Sequence, residues 1–395
     1  MVFETLIAVT LLITGIALLT YSSDKAVEHS VIIASALRIS PLMIGLILVS
    51  LGTDLPEIAN SIASSALGHG DINVGDSLGS VLTQMTLVFG LIPFLGGIFK
   101  VKRKEIAVIG ACEVLALIIA VSIAEKGYIT RMNALFLVAS WPVFVLLARS
   151  ATAKNAKEKE EVVAPTDQRH LYHLVVAVLG FIGVAIGACE VLALILAVSI
   201  AEKGYFTRIN ALFLVASWPV FILLTRSATA KNAKEKEYIL AHPNEIRLHH
   251  LRDWMIAFLG FVGVAVGAYA VVQSVIVLSA FFHISEYIIS FFVVAIGTSL
   301  PELVVELIAL RRKQYELAIG DALGSCLVDA TVSVGIGQLF FPQAVSGELA
   351  LITGLYAIFG SIVVILTLAL RKKADRKAGA VFIFVYLLSY MLLRV

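Results

Sequence analysis

The chain has 395 residues, of which 59% are hydrophobic and only 15% are charged, and its formal net charge is +2. Soluble domains average about 45–50% apolar and about 25% charged residues, so this composition excludes an ordinary water-soluble enzyme, a nucleic-acid binder and a disordered chain. A mean hydropathy of +0.97 is typical of a polytopic membrane protein. The three cysteines, Cys112, Cys189 and Cys326, lack metal-ligand spacing, and we expect neither a disulfide framework nor a thiolate metal site.

The apolar segments predict about twelve membrane-spanning helices, because one crossing needs roughly 20 apolar residues. The segments lie at 3–21, 40–66, 73–98, 105–124, 132–149, 172–201, 209–225, 254–281, 286–310, 317–340, 347–370 and 378–394. The first lacks a preceding basic region and a cleavage site, so we expect a retained helix rather than a signal peptide. No β-barrel alternation is present, and the predicted class is therefore an all-α polytopic membrane protein.

Loops rich in Lys and Arg alternate with loops that contain few of them. The basic loops are at 100–104, 149–171, 226–252, 311–313 and 371–377, whereas 67–72, 282–285 and 341–346 contain no Lys or Arg and 125–131 and 202–208 contain one of each. Since basic loops remain in the cytoplasm, this alternation predicts that both termini are extracellular.

A near-identical tandem copy occupies the middle of the chain. Residues 110–160 match 187–237 at an offset of 77, and only five of the 51 positions differ. We interpret residues 161–237 as a two-helix insert, of natural or engineered origin, in a ten-helix parent. The predicted organisation is a first five-helix repeat over 1–149, linkers plus insert over 150–253, and a second five-helix repeat over 254–395.

A second, more divergent repeat aligns residues 40–84 with 285–329 at an offset of 245, without gaps. The shared motifs are GTxLPE, beginning at Gly52 and Gly297, and GDxLGSxL, beginning at Gly75 and Gly320. The span count places Pro56 on a helix running outward and Pro301 on a helix running inward, so the two repeats are predicted to be inverted. Inverted repeats with interrupted helices at matching positions indicate a secondary transporter with a binding site near the bilayer midplane.

The GTxLPE motif predicts a bent helix with oxygen ligands at the bend. Pro56 has no N–H, and its ring clashes with the carbonyl of Gly52, so backbone oxygens near the bend become available. Thr53 and Glu57 are four residues apart and share a helix face. The second motif copy repeats this arrangement with Thr298 and Glu302.

The GDxLGSxL motif adds further oxygen-bearing side chains at four-residue spacing. These are Asp76, Ser80 and Gln84 in the first half, and Asp321, Ser325 and Asp329 in the second. Glycines four residues apart, such as Gly75 and Gly79, let helices approach closely. Because the donors are all oxygens, the set suits Ca²⁺ or Na⁺ better than a transition metal.

Seven acidic residues lie at membrane depth by the span count, where charged groups are functional by default. They are Asp54, Glu57, Asp76, Glu302, Glu306, Asp321 and Asp329. An empty ionised cluster would repel itself, so one cation must return before the other leaves. This electrostatic rule predicts antiport.

At both motif copies the sequence resembles the Ca²⁺/cation antiporter superfamily, and within it the sodium/calcium exchangers. The resemblance implies that Glu57 and Glu302 coordinate Ca²⁺ and Na⁺, and that Thr53 and Thr298 contribute backbone oxygens. It also matches Ser299 to a sodium-site serine, and Ser80, Ser325 and Asp329 to ligands on the partner helices. The family fold further implies two tilted gating helices, here residues 1–20 and about 254–281.

Four positions depart from the family pattern and leave the coupling ion open. Asp54 replaces the usual Ser, Gln84 replaces Asn or Asp, and Asp76 and Asp321 replace Asn. The extra carboxylates keep Ca²⁺/H⁺ exchange as an alternative to Ca²⁺/Na⁺ exchange. A cation channel is less favoured because the repeats are inverted, and a membrane-embedded hydrolase is less favoured because no nucleophile–base set is present.

We expect a monomer in the lipid bilayer, with no enzyme activity, no cofactor, and Ca²⁺ with Na⁺ or H⁺ as the transported ions.

Overall fold

The computed structural model describes residues 6–18, 44–156, 250–311 and 313–392, which are almost wholly helical. The chain divides into two compact units, Met1–Arg38 with Asp167–Leu278 and Ile39–Thr166 with Ser279–Val395. The predicted spans 172–201 and 209–225, and with them the insert, lie outside the described residues.

The helices follow the predicted segments closely. They are α1 (Leu6–Leu18), α2 (44–53), α3 (Leu55–Ala66), α4 (Gly70–Leu95), α5 (Arg103–Ala124), α6 (Arg131–Ala156), α7 (His250–Phe282), α8 (286–298), α9 (Leu300–Arg311), α10 (Tyr315–Phe340), α11 (Gly347–Arg371) and α12 (Arg376–Leu392). Six segments of the described chain are long and apolar enough to cross a membrane. They are α4, α5, the Arg131–Ala148 part of α6, α8 with α9, α10, and α11. The all-α, multi-pass membrane class is therefore confirmed.

Helix α11 shows how these helices divide their faces between protein and lipid. Large apolar side chains such as Leu355, Phe359 and Leu366 form an exposed stripe, whereas Gly354 and Gly360 are buried on the opposite face. A helix in water would show the reverse pattern. Small residues point inward because an added Cβ at Gly354 would lie only 2.2 Å from a methyl carbon of Val121 on α5.

In the first unit, α1 packs against α7 through a glycine. A Cβ placed on Gly15 would lie 3.1 Å from the carbonyl oxygen of Gly267 and 3.2 Å from the Cβ of Ala270. Small residues on both helices therefore permit close backbone approach. These are the two segments that the family resemblance identifies as gating helices.

Two short antiparallel ribbons join loops of the second unit. Strand β1 (Phe99–Lys100) pairs with β4 (Lys373–Ala374), and β2 (Tyr128–Ile129) pairs with β3 (Gln343–Ala344). Each ribbon joins two loops that the charge pattern places on the same side of the membrane. The ribbons also correspond at the 245-residue offset to within one residue, so the likeness of the two halves extends beyond the aligned motifs.

Both motif-bearing helices are interrupted at the same motif position. Asp54 separates α2 from α3 and Ser299 separates α8 from α9, and both residues have φ −80° and ψ 5°. The helical ladder is carried past the first break by Asp54 N donating to the oxygen of Ser50 and by Ile58 N donating to the oxygen of Asp54, both at 2.9 Å. The chain therefore bends without a long unpaired stretch.

Each half also contains two π-helical turns in corresponding places. They are Ile44–Val49 and Thr83–Val88 in the first half, and Ser290–Val294 and Asp329–Ser333 in the second. Wide turns of this kind are frequently found at functional sites. The turns at Thr83 and Asp329 begin beside the polar residues described below.

Glycines on α4 and α10 bring the two halves into backbone contact. A Cβ on Gly79 would lie 2.2 Å from the oxygen of Phe291, and a Cβ on Gly324 would lie 2.8 Å from the oxygen of Leu46. Residues 79 and 324, like 46 and 291, are 245 positions apart, so one contact is the reciprocal of the other. The close helix approach expected from the glycine spacing is present. It joins α4 to α8 and α10 to α2, so each contact links one half to the other.

Candidate cation site

Three buried carboxylates from the two interrupted helices converge in the second unit. Asp54, Glu57 and Glu302 each provide an oxygen that lies within 4.8 Å of the others. Asp54 occupies the break between α2 and α3, and the two glutamates lie on the first turns of α3 and α9. We call these three residues the carboxylate trio.

The trio has few hydrogen-bond partners. Both oxygens of Asp54, both of Glu302 and Oε2 of Glu57 are buried and accept no hydrogen bond within the described part of the chain. The ion pairs found there involve other acids. An unpaired buried carboxylate is costly, and three of them at this distance repel one another, so the arrangement favours bound cations or protons.

Hydroxyl groups connect the four helices around the trio in two matching pairs. Thr53 Oγ1 lies 3.2 Å from Ser325 Oγ, and Ser80 Oγ lies 3.3 Å from Thr298 Oγ1. The two pairs are related by the 245-residue offset. Ser80 Oγ also lies 3.5 Å from Glu57 Oε1, which places one pair beside the trio.

Gln84 and Asp329 occupy equivalent positions in the two halves and contact each other. Gln84 Nε2 donates to Asp329 Oδ2 at 3.1 Å, and Cys326 Sγ donates to Gln84 Oε1 at 3.3 Å. Cys326 therefore orients the amide so that its N–H₂ faces the carboxylate. The other oxygen of Asp329 is buried and has no partner among the described residues.

Asp76 differs from the trio because both of its oxygens are hydrogen-bonded. Asn60 Nδ2 donates to Oδ2 at 2.6 Å, and Thr298 Oγ1 donates to Oδ1 at 3.1 Å. Asp76 thus positions Thr298. The equivalent Asp321 and the hydroxyl of Ser299 are buried, and no described side chain or backbone group bonds to their side-chain oxygens.

The structure therefore places the twelve residues singled out from the sequence on α2–α4 and α8–α10, buried at the junction of the two motif copies. Contacts link Asp54, Glu57 and Glu302, the two hydroxyl pairs, and Gln84 with Asp329. The sequence interpretation overlooked the roles of Asn60 and Cys326. Asn60 lies one turn beyond Glu57 on α3. An amide at this position of an apolar helix, next to an acid, could have indicated a role at the site.

The chain matches the family described as sodium/calcium exchanger protein over residues 7–149 and 253–395. The inner membrane protein YrbG of Escherichia coli is 25% identical over 343 residues, covering 85% of this chain and 81% of that protein. The sodium/calcium exchanger MaX1 of Methanosarcina acetivorans is 23% identical over 385 residues, covering 95% of each. Among solved structures, the sodium-calcium exchanger NCX_Mj superposes with a TM-score of 0.55 at 21% identity, covering 99% of this chain and 100% of that one. This likeness shows a shared fold.

Proposed function

Because the chain belongs to the sodium/calcium exchanger family of membrane transporters, we propose that it exchanges Ca²⁺ for Na⁺ by alternating access. The observation that carries this proposal is the carboxylate trio, formed by both interrupted helices and buried without a basic partner. It supplies oxygen ligands only, which is the donor type that Ca²⁺ and Na⁺ prefer.

In this proposal Glu57, Glu302 and Asp54 bind the ions together with oxygens from the surrounding shell. The shell consists of Thr53, Thr298, Ser299, Ser80, Ser325, Gln84, Asp329, Asp321 and, through Thr298, Asp76. If the protein changed between its inward-facing and outward-facing states with the trio ionised and empty, uncompensated negative charge would move through a low-dielectric interior. The protein therefore switches only with cations bound, and transport of one ion is coupled to return of the other.

Charge counting supports Ca²⁺/H⁺ exchange as a second candidate. The trio carries three negative charges when fully ionised, one more than a single Ca²⁺ neutralises. The third carboxylate requires either Na⁺ or a proton. We assign this role to Asp54, the additional carboxylate that replaces the usual Ser of the family. The coupling ion is thus decided at this carboxylate.

We also propose a monomer with extracellular termini and α1 and α7 as gating helices. The two ribbons support the sidedness, since each joins loops assigned to the same side. Cysteine accessibility at exposed Lys100 and Tyr128, each replaced singly by Cys, tests this: a membrane-impermeant reagent should label the Tyr128→Cys variant from outside intact cells and the Lys100→Cys variant only after lysis.

Proteoliposomes test the transport proposal directly. We expect ⁴⁵Ca²⁺ uptake driven by an outward Na⁺ gradient; uptake driven only by an outward H⁺ gradient would establish the second candidate. Uptake that needs no counter-cation would refute antiport. Glu57→Gln and Glu302→Gln should each abolish uptake. Glu113→Gln, a change to a buried carboxylate on α5 that accepts from Ser361 Oγ at 2.8 Å, is the matched control and should retain it.

A further inference from the structure

The two halves of the site differ sharply one helical turn beyond the trio. At the 245-residue offset, Ser61 on α3 corresponds to Glu306 on α9, and Asp76 corresponds to Asp321. The first half therefore has one acid at these two positions, and the second half has two.

In the first half these polar groups are satisfied. Ser61 Oγ accepts from the backbone N–H of Gly337 at 3.0 Å, and Asp76 is held by Asn60 and Thr298. In the second half the position of Asn60 is taken by Val305, which has no donor.

All four carboxylate oxygens of Glu306 and Asp321 are buried and unpartnered within the described residues. Helix α9, which carries Glu306, packs against α10, which carries Asp321, and Glu306 interacts electrostatically with Asp321 and Glu302. Both side chains are fully buried, so water does not screen this repulsion as it would at the surface. Like the trio, the pair has no basic partner among the described residues.

Glu306 is displaced from the trio along α9, although its partner Asp321 also belongs to the shell around the trio. Glu306 follows Glu302 by four residues on α9, which is an axial rise of about 6 Å. Helix α9 runs from its break at Ser299 to Arg311, whose loop the charge pattern places in the cytoplasm. Glu306 therefore lies on the cytoplasmic side of Glu302 in the predicted topology. Asp321 lies near the start of α10, which begins at Tyr315 after the same loop.

We propose that Glu306 and Asp321 form a second binding site for a hard cation, Na⁺ or Ca²⁺, beside the trio. This inference rests on the proposed function for its cargo, and it adds that the two halves contribute unequally to ion binding. The second half holds an additional ion between the trio and the cytoplasmic loop. The first half does not, because Ser61 and Asp76 already accept hydrogen bonds.

Equilibrium binding to the purified full-length protein in lipid nanodiscs tests this site. Bound ²²Na⁺ and bound ⁴⁵Ca²⁺ are counted separately at saturation for the unaltered protein, Glu306→Ser, which installs the first-half residue, and Asp321→Asn. We expect each variant to lose one bound ion of the same kind while the remaining binding persists. Glu306→Asp should restore the count, and Glu113→Gln should leave it unchanged.

Two results would overturn the second site. An unchanged ion count in both Glu306→Ser and Asp321→Asn would show that the pair holds no cation, and loss of all binding in either folded variant would show one merged site. If one variant fails to fold, the other gives the same answer. Failure of the proposed function is distinguishable, since it would appear as absent gradient-driven uptake and no effect of Glu57→Gln, whatever the count at the pair.

Discussion

Gly79→Ala is the sharpest test of how the fold positions the site. The added Cβ would lie 2.2 Å from the oxygen of Phe291, whereas ordinary van der Waals contact begins at 3.4 Å. Helix α8 must therefore retreat by about 1.2 Å, the difference between these distances. The obstructing atom belongs to the backbone, so a rotamer change cannot relieve the clash.

The shift of α8 would move Thr298, the last residue of this helix, and Glu302, which follows on α9. Overpacking of this kind costs about 1–3 kcal/mol of stability, and a displacement of about 1 Å can cost about 100-fold in rate when oriented groups must act together. We expect an initial rate of ⁴⁵Ca²⁺ uptake about 100-fold below that of the unaltered protein, with a lower melting temperature.

Two further glycine substitutions calibrate this prediction. Gly324→Ala meets the oxygen of Leu46 at 2.8 Å, so a smaller loss is expected. Gly360→Ala meets only side-chain carbons, the nearest being Cγ2 of Thr86 at 2.9 Å, and should have the least effect. Uptake by Gly79→Ala equal to that of Gly360→Ala would refute the claim that the α4–α8 contact positions the site.

Three other changes give independent checks. Asn60→Ala should lower stability by about 1–3 kcal/mol because it leaves an oxygen of Asp76 unsatisfied; equal denaturation midpoints for variant and parent would contradict that bond. At the start of α12, the backbone N–H of Ala378 and the Arg371 guanidinium lower the pKa of Asp375, so its stabilisation is complete above the usual carboxyl pKa of about 3.9 and is lost as pH falls through the lower folded value. Asp375→Asn should therefore melt earlier than the parent at pH 7, with a difference that shrinks in acid; a constant difference would contradict this. Deletion of residues 161–237 should preserve uptake, and loss of uptake by a folded deletion protein would show that the insert takes part in transport.

The sequence predicted the parts of the site that depend on local covalent chemistry. Pro56 lacks an N–H wherever it occurs, so the interruption near Asp54 followed from the motif, and spacing alone indicated the acids beside it. The contacts made by Gly79 could not be assigned in this way. The glycine spacing shows that one face of the helix carries small residues, but it does not show which helix packs against that face. Likewise, the bond from Asn60 to Asp76 depends on how α3 and α4 pack. The difference between a satisfied Asp76 and an unpartnered Asp321 was therefore visible only in the folded chain.

The pairing of Gln84 with Asp329 has a consequence for the ancestry of the protein. The two positions are equivalent and face each other, so an ancestral assembly of two identical half-length chains would have set aspartate against aspartate or glutamine against glutamine. The first pair repels and the second carries no charge. One amide facing one carboxylate requires the two halves to vary independently, which is possible once they are encoded separately but not in an assembly of identical chains. With this pair in place, neither half could be replaced by a duplicate of the other without losing the match.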